Sequence, residues 1–484
     1  RAAVERIARD GDRHVYGINT GFGSLKDVAI GSADLARLQR NLLMSHSAGV
    51  GEPLPVEVVR AAMLLRANAL ARGASGVRPV VVETLLAMLA RGVHPCIPAQ
   101  GSVGASGDLA PLSHMALVLS RPPDGEDDPA ELSGETIAAD GRRVPGKEAM
   151  AAADIPRLVL GAKEGLALNN GVQISAALGV LALLDAERLA DLADLAVAMT
   201  VEAVRGVADA YQPAVHRQRP FAGQAVSAAR ILAHLAGSSL VGSDPQRIQD
   251  GYSLRCAPQV HGAVRDALAR VRETLTVEIN SATDNPLVLV EPDGAAVVSA
   301  GQFHGEPVAL AADALKVALA ELAGISERRV FRLLTKALSF GLPPLLAPPD
   351  RPGLGLMALQ FTAAGLVAES KHIAHPSSVD NIPTCEDQED HVSMSPIAAR
   401  GARRIVANTA YVLACEMLCA SSALALRRDR EAANLGAGTA RAVALCREPL
   451  AWHAAGSPPG RCLEEVCRLI HAGAFDAPLL EAGA

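Results

Sequence analysis

Leucines recur at helical spacing along much of this chain. Leu178, Leu181, Leu189, Leu192 and Leu195 fall on helical faces. Leu315, Leu319 and Leu322 repeat at i, i+4 and i+7 behind Pro307, a residue suited to the first turn of a helix. A third run extends from about Arg403 to Leu426. Hydrophobic residues make up 50% of the sequence but aromatics only 2%, so the interior has to be built from Ala, Leu and Val. Side chains of that size let helices pack closely. Strand signals are few. The expected class is mainly α: a long central helix bundle over about residues 166–484, and a smaller mixed N-terminal region over 1–165 with small β elements.

Within that N-terminal region, Leu35 to Met44 and Val56 to Ala71 carry helical spacing. Pro95 and Pro98 then break the chain, and Arg121 to Gly146, rich in Pro, Gly and Asp, reads as an exposed loop. The most apolar stretch, Gly165 to Leu184, contains Asn169, Asn170 and Gln173, and reads as core rather than a membrane span. The 45 basic and 52 acidic residues give a net charge of −7, which points away from nucleic acid and anionic membranes as partners. No zinc spacing is found among the eight cysteines, whose close pairs are Cys415/Cys419 and Cys462/Cys467. They are expected as buried free thiols in a cytoplasmic protein, with no metal site and no signal peptide.

One stretch carries chemistry: Gly101-Ser102-Val103-Gly104-Ala105-Ser106-Gly107-Asp108-Leu109-Ala110-Pro111-Leu112-Ser113-His114. Glycine lets a backbone approach itself closely. If the Gly107 nitrogen closes onto the Ala105 carbonyl carbon and two waters leave, the chain gains a five-membered ring bearing the Ser106 methylene, an electrophile that no side chain supplies. A plain glycine-rich turn before a helix is the competing reading, with Asp108 as N-cap and Pro111 in the first turn. Other motifs are weak. Gly17 to Gly23 lacks the dinucleotide fingerprint. His304-Gly305-Glu306 lacks the cysteine pair of a zinc deaminase. Ser106 with His114 lacks the nucleophile-elbow spacing.

The fourteen residues resemble the signature of the aromatic amino acid ammonia-lyases. The resemblance implies that Ala105, Ser106 and Gly107 form 4-methylideneimidazole-5-one (MIO) autocatalytically, with no metal or diffusible cofactor. Further stretches from residue 16 to residue 394 are similar to the same family. Tyr16-Gly17-Ile18-Asn19-Thr20-Gly21-Phe22-Gly23 implies Tyr16 as the base that removes a β-proton, a role that needs a phenolate and hence a lowered pKa. Asn169-Asn170-Gly171 implies that the Asn170 amide polarises the ring. Where the family has Thr and an apolar residue, this chain has Val172 and Asn169. Gln249-Asp250-Gly251-Tyr252-Ser253-Leu254-Arg255 implies Arg255 on the substrate carboxylate, with Gln249 beside it, and Tyr252 near the departing amine. Asp250-Gly251 stands where Asp-Pro is more usual. Gly301-Gln302-Phe303 implies Phe303 against the ring.

Two further positions bear on the substrate. Ser45-His46 followed by small Ser47 resembles the histidine-specific branch, in which this pair contacts a polar ring. Glu389, within Asp387 to Met394, implies a carboxylate that fixes or charges an imidazole. The implied reaction is elimination of ammonia from L-histidine to give trans-urocanate, in a homotetramer whose subunits share active sites. Tyrosine- or phenylalanine-specific lyases, or an aminomutase, remain alternatives within the family. A fumarase- or argininosuccinase-type lyase and a non-catalytic helical assembly protein remain alternatives outside it.

Overall fold

The computed structural model describes residues 1–476 apart from 12, 293, 351, 352, 354 and 432, so the last eight residues of the 166–484 region lie outside it. Among the described residues there are seventeen α-helices and eight short strands, and the class is mainly α. The strands pair two by two. Val50–Pro53 with Pro98–Gln100, Glu135–Ile137 with Arg143–Pro145, and Leu287–Glu291 with Gly294–Val298 are antiparallel; Ser120–Arg121 and Leu158–Val159 are parallel. The long helices are Gln173–Ala203, Glu306–Leu334 and Ser395–Glu431. The third starts before the expected Arg403. Pro396 sits in its first turn, where the backbone N–H has no helical partner to lose.

The chain divides into two compact units. The first comprises Arg1–Leu181, Arg272–Asp313 and Pro376–Arg400. The second comprises Ala182–Val271, Ala314–His375 and the chain from Gly401 onward.

In the first unit, helices Leu35–His46, Leu109–Leu119 and Glu164–Asn169 pack on one another. Helix Val56–Ala71 buries Val58, Val59, Ala62, Met63, Ala67 and Leu70 along one face. Each Val or Leu so buried is worth about 1.5–3 kcal/mol before entropy is counted. The expected apolar run Gly165 to Leu184 is not one helix. It breaks at Asn170–Val172, where Gly171 takes φ +143, and restarts at Gln173. Among the described residues, the helical stretch long and apolar enough to cross a membrane is instead Ser395–Arg427, and most of its apolar window is buried.

Two expectations for this unit need correction. Arg121 to Gly146 is not simply an exposed loop. It forms the Glu135–Ile137/Arg143–Pro145 hairpin, and it buries Asp128 between Arg40 at 2.6 Å and Arg157 at 3.0 Å. A carboxylate in a Pro- and Gly-rich segment looks solvated until two distant arginines are known to reach it. Asp108 does stand before helix Leu109–Leu119, but its side chain does not cap that helix. Its carboxylate accepts the Ser175 N–H at 2.8 Å and the Ser175 hydroxyl at 2.7 Å, so it caps helix Gln173–Ala203. Burial pushes its pKa up to about 6, against the pull of those hydrogen bonds.

In the second unit, helix Ala222–Leu235 packs on Ala437–Ala454, which packs on Pro459–His471. Fully buried Arg329 pairs with fully buried Glu416 through Nε at 2.6 Å and Nη2 at 2.8 Å, and Thr200 and Ser326 donate to the same carboxylate at 2.7 Å each. All eight cysteines are free; six are buried, while Cys256 and Cys385 are half-buried.

Candidate active site

Ser106 has φ +51 and Gly107 φ +81, so two consecutive residues turn left-handed. The Gly107 N–H donates to the Gly104 carbonyl at 3.2 Å. A Cβ on Gly107 would run into the Gly171 carbonyl, so only glycine fits there. Gly107 bridges to Gly171, and the Asp108 N–H donates to the Gly171 carbonyl at 2.6 Å. The Ser106 turn and the Asn170–Val172 break are thereby stitched together.

Ser106 opens on a cavity of about 420 Å³ in the first unit. Tyr16, Asn170, Phe303 and Glu389, four of the residues expected from sequence, line the same cavity. The Ser106 hydroxyl donates to Glu389 Oε1 at 2.9 Å, and the Thr384 hydroxyl to Glu389 Oε2 at 2.7 Å. Glu389 is presented by a tight hairpin. Thr384 and Glu389 exchange backbone hydrogen bonds across it, and Cys385, Glu386 and Asp387 all have φ near +55 (52, 54 and 62). The Asn170 amide oxygen is buried and has no hydrogen-bond partner. Asn169 turns away, donating to Ser113 at 3.1 Å, and Val172 is fully buried, which accommodates both departures from the family pattern.

Tyr16 accepts a hydrogen bond from the Gly23 N–H at 3.3 Å. Its pKa lies above the ordinary tyrosine value. Burial is the main cause, the Gly23 bond opposes it, and the charges of Glu389 and Cys385 add to it. The shift is opposite to the lowering expected for a phenolate base, because burial disfavours the charged phenolate and the negative charge of Glu389 adds to that.

Sequence reasoning missed other lining residues: Lys26, Asp27, Asn285, Ser299 and Gln388. Lys26 contacts the Gln388 amide oxygen. Asn285 donates to Ser299 at 3.3 Å and accepts the Ala300 N–H at 2.7 Å. Lys26 lies three residues beyond Gly23 and could have been included with that loop. Asn285 and Ser299 carry no local signal, since the fold alone brings them to the cavity.

His46 is not among the lining residues. It ends helix Leu35–His46, and its Nδ1 donates to the Leu42 carbonyl at 2.9 Å, with the Ser45 hydroxyl at 3.0 Å. The other ring nitrogen is the one left to face a ligand. Gln249, Tyr252 and Arg255 belong to the second unit. Tyr252 is 72% exposed and stacks under the Arg255 guanidinium at 4.7 Å. Their turn is fixed from beneath: Tyr211 donates to the Leu254 carbonyl at 3.0 Å, Arg329 to the Ser253 carbonyl at 3.4 Å, and Arg255 itself to the Asp250 carbonyl at 3.0 Å. A separate hollow in that unit, lined by Arg188 and Asp476 among others, has room for about 20 Å³, too little for an amino acid.

Comparison with known proteins gives the family. The sequence profile described as aromatic amino acid lyase matches residues 1–448. A histidine ammonia-lyase of Caldanaerobacter subterraneus subsp. tengcongensis is 51% identical over 449 residues, 93% of this chain and 85% of that protein. The crystal structure of histidine ammonia-lyase from Trypanosoma cruzi superposes with a TM-score of 0.85 at 39% identity, covering 98% of this chain and 86% of that one. A tyrosine aminomutase from Streptomyces globisporus superposes with a TM-score of 0.87 at 35% identity, covering 98% and 90%. With a left-handed Ala-Ser-Gly turn facing a cavity shared by Tyr16, Asn170, Phe303 and Glu389, and with relatives at this identity along nearly its whole length, the chain belongs to the aromatic amino acid lyase family.

Proposed function

We propose that this protein is a carbon–nitrogen lyase that eliminates ammonia from L-histidine to give trans-urocanate. The observation that carries the reading is the left-handed Ser106, opening on a cavity of about 420 Å³ together with Tyr16, Asn170, Phe303 and Glu389. Identity of about half to relatives named histidine ammonia-lyase supports the choice of substrate.

The residues present fit an MIO group. Gly107 lacks the Cβ that its close approach to Gly171 forbids, and Asn170 brings an unsatisfied amide oxygen to the same cavity. Closure would join the Gly107 nitrogen to the Ala105 carbonyl carbon and release that oxygen as water. A second water would come from the Ser106 hydroxyl and α-hydrogen. The group supplies an electrophilic methylene that makes the substrate a better source of leaving ammonia.

The chain's own residues do the rest. Phe303, which lines the same cavity, would pack on the ring and help keep water from it. Asn170 polarises the ring through its amide N–H, and its free oxygen offers an acceptor to an ammonium. Tyr16 takes the β-proton once ionised. Glu389 orients the imidazole, and His46, outside the cavity lining, is assigned to the substrate ring by family resemblance alone. Gln249, Tyr252 and Arg255 serve the substrate carboxylate and departing amine within an assembled homotetramer, a reading supported by the exposure of Tyr252 and of Ile248, at 72% and 94%.

The test is a substrate panel. Purified protein is incubated with L-histidine, L-tyrosine and L-phenylalanine, and product absorbance and ammonia are followed. Urocanate and ammonia form from L-histidine, and Ser106→Ala abolishes both. A cinnamate-type product, or a β-amino acid without ammonia, with no urocanate from L-histidine, overturns the assignment.

A further inference from the structure

Arg66 lies on the buried face of helix Val56–Ala71, in register with Val59, Ala62, Met63 and Leu70, and is completely buried. Packing alone would place Leu or Met there. A guanidinium removed from water needs compensation, so its hydrogen bonds report what it does. Nη1 donates to the Ala167 carbonyl at 2.7 Å and to the Asn170 carbonyl at 2.8 Å. Nη2 donates to the Asn170 carbonyl at 3.0 Å and to Gln173 Oε1 at 2.6 Å. The two carbonyls belong to the end of helix Glu164–Asn169, where acceptors have no helical partner. All four bonds therefore hold one segment, the break between that helix and helix Gln173–Ala203.

The other side of this segment is the catalytic turn. The Gly171 carbonyl accepts the Asp108 N–H at 2.6 Å, and Gly171 bridges to Gly107. A Cβ on Gly171 would collide with Arg66 Nη2, so the guanidinium and this backbone are in direct apposition. One contact links Arg66 to Asn170 and Gly171, and one more links Gly171 to Gly107 and Asp108.

We propose that Arg66 is a positioning residue, whose guanidinium clamps the Asn170–Gly171 backbone and so sets Asn170 and the Ala105-Ser106-Gly107 turn in register with each other. Arg66 touches neither the reacting atoms nor the cavity. The inference rests on the proposed ring closure of that turn. It extends the site from the cavity wall to a helix one layer behind it. Flexible lysine has the charge but not the planar fork that reaches three acceptors at once.

The experiment compares wild type, Arg66→Met, Arg66→Lys and a control, Val59→Ala, which removes buried packing from the same helix. Far-UV circular dichroism reports folding, and the mass of the peptide spanning Ser106 reports ring closure as the loss of two waters. In folded Arg66→Met the fraction of closed peptide falls well below wild type. Per closed site, kcat falls about 10-fold or more with little change in KM, as expected when a catalytic group is held out of register. Arg66→Lys recovers part of the loss, and Val59→Ala closes its ring fully. Folded Arg66→Met with wild-type closure and kcat overturns the proposal, as does an equal closure defect in Val59→Ala. If Arg66→Met does not fold, Gln173→Leu decides, because it removes one of the guanidinium's acceptors: reduced closure supports the proposal and wild-type closure with wild-type kcat overturns it. A wild-type peptide at unmodified mass overturns the ring-closure reading itself and this inference with it.

Discussion

Lys163 and Asp284 form an ion pair at 2.6 Å with side chains 0% and 1% exposed. The Ser75 hydroxyl donates to the other oxygen of Asp284 at 3.0 Å. Lys163 precedes helix Glu164–Asn169, which Asn170 follows, and Asp284 precedes the cavity residue Asn285. Removing one partner leaves the other charge buried. Lys163→Met leaves Asp284 with a single hydroxyl, and should cost about 3–5 kcal/mol. Asp284→Asn keeps the shape and the Ser75 contact but strands an ammonium. Burial already holds the Lys163 pKa below its ordinary value, so that ammonium can shed its proton and the cost should be the smaller of the two. The double variant strands neither member of the pair, and buried Arg66 loses the Asp284 charge in it just as in Asp284→Asn. Its cost should fall short of the sum of the singles by about 1–3 kcal/mol. Urea unfolding followed by circular dichroism, on all four proteins at one protein concentration, gives the cycle. Costs that add to within about 0.5 kcal/mol would refute the account, since they would mean that the two charges are solvated independently.

Two further outcomes follow from the titrating groups. Glu389→Gln removes a negative charge that raises the Tyr16 pKa, so the Tyr16 phenol should titrate at lower pH in the variant; ultraviolet difference titration against Tyr16→Phe reads it, and an unchanged or higher midpoint contradicts the reading. Asp108 has a folded pKa near 6 against an ordinary 3.8, so the fold favours its protonated form. The stability this contributes is complete below the ordinary value and is lost as pH rises through about 6. Wild type minus Asp108→Asn should show that loss, of order 3 kcal/mol, between roughly pH 4 and 7, and a flat difference would show the carboxylate to be hydrated.

Much of the candidate site is legible in the sequence. Helix Val56–Ala71 runs between the residues that spacing chose, and Tyr16, Ser106, Asn170, Phe303 and Glu389 meet at one cavity from five separate stretches. What escaped was set by tertiary contact. Asp108 looks like the cap of the helix that follows it, yet a helix distant in sequence takes its carboxylate. Asn170 could have capped helix Gln173–Ala203, and Asp108 leaves that amide free for the cavity. The Tyr16 shift is set by tertiary burial, with Glu389, 373 positions away, adding to it, and no local pattern encodes either. Arg66 left a trace, a lone cation in an apolar helical face, but the trace does not say which backbone it holds.

The contact between Ser106 and Glu389 has a temporal meaning. In the unclosed chain, one oxygen of the carboxylate proposed to orient the imidazole is already taken, and the hydroxyl taking it is the group that ring closure discards. Maturation would then create the electrophile and vacate the substrate's docking point in the same event. A newly made subunit would be closed to substrate on its Glu389 side until its own turn has reacted, so that histidine finds a seat only where there is chemistry to receive it.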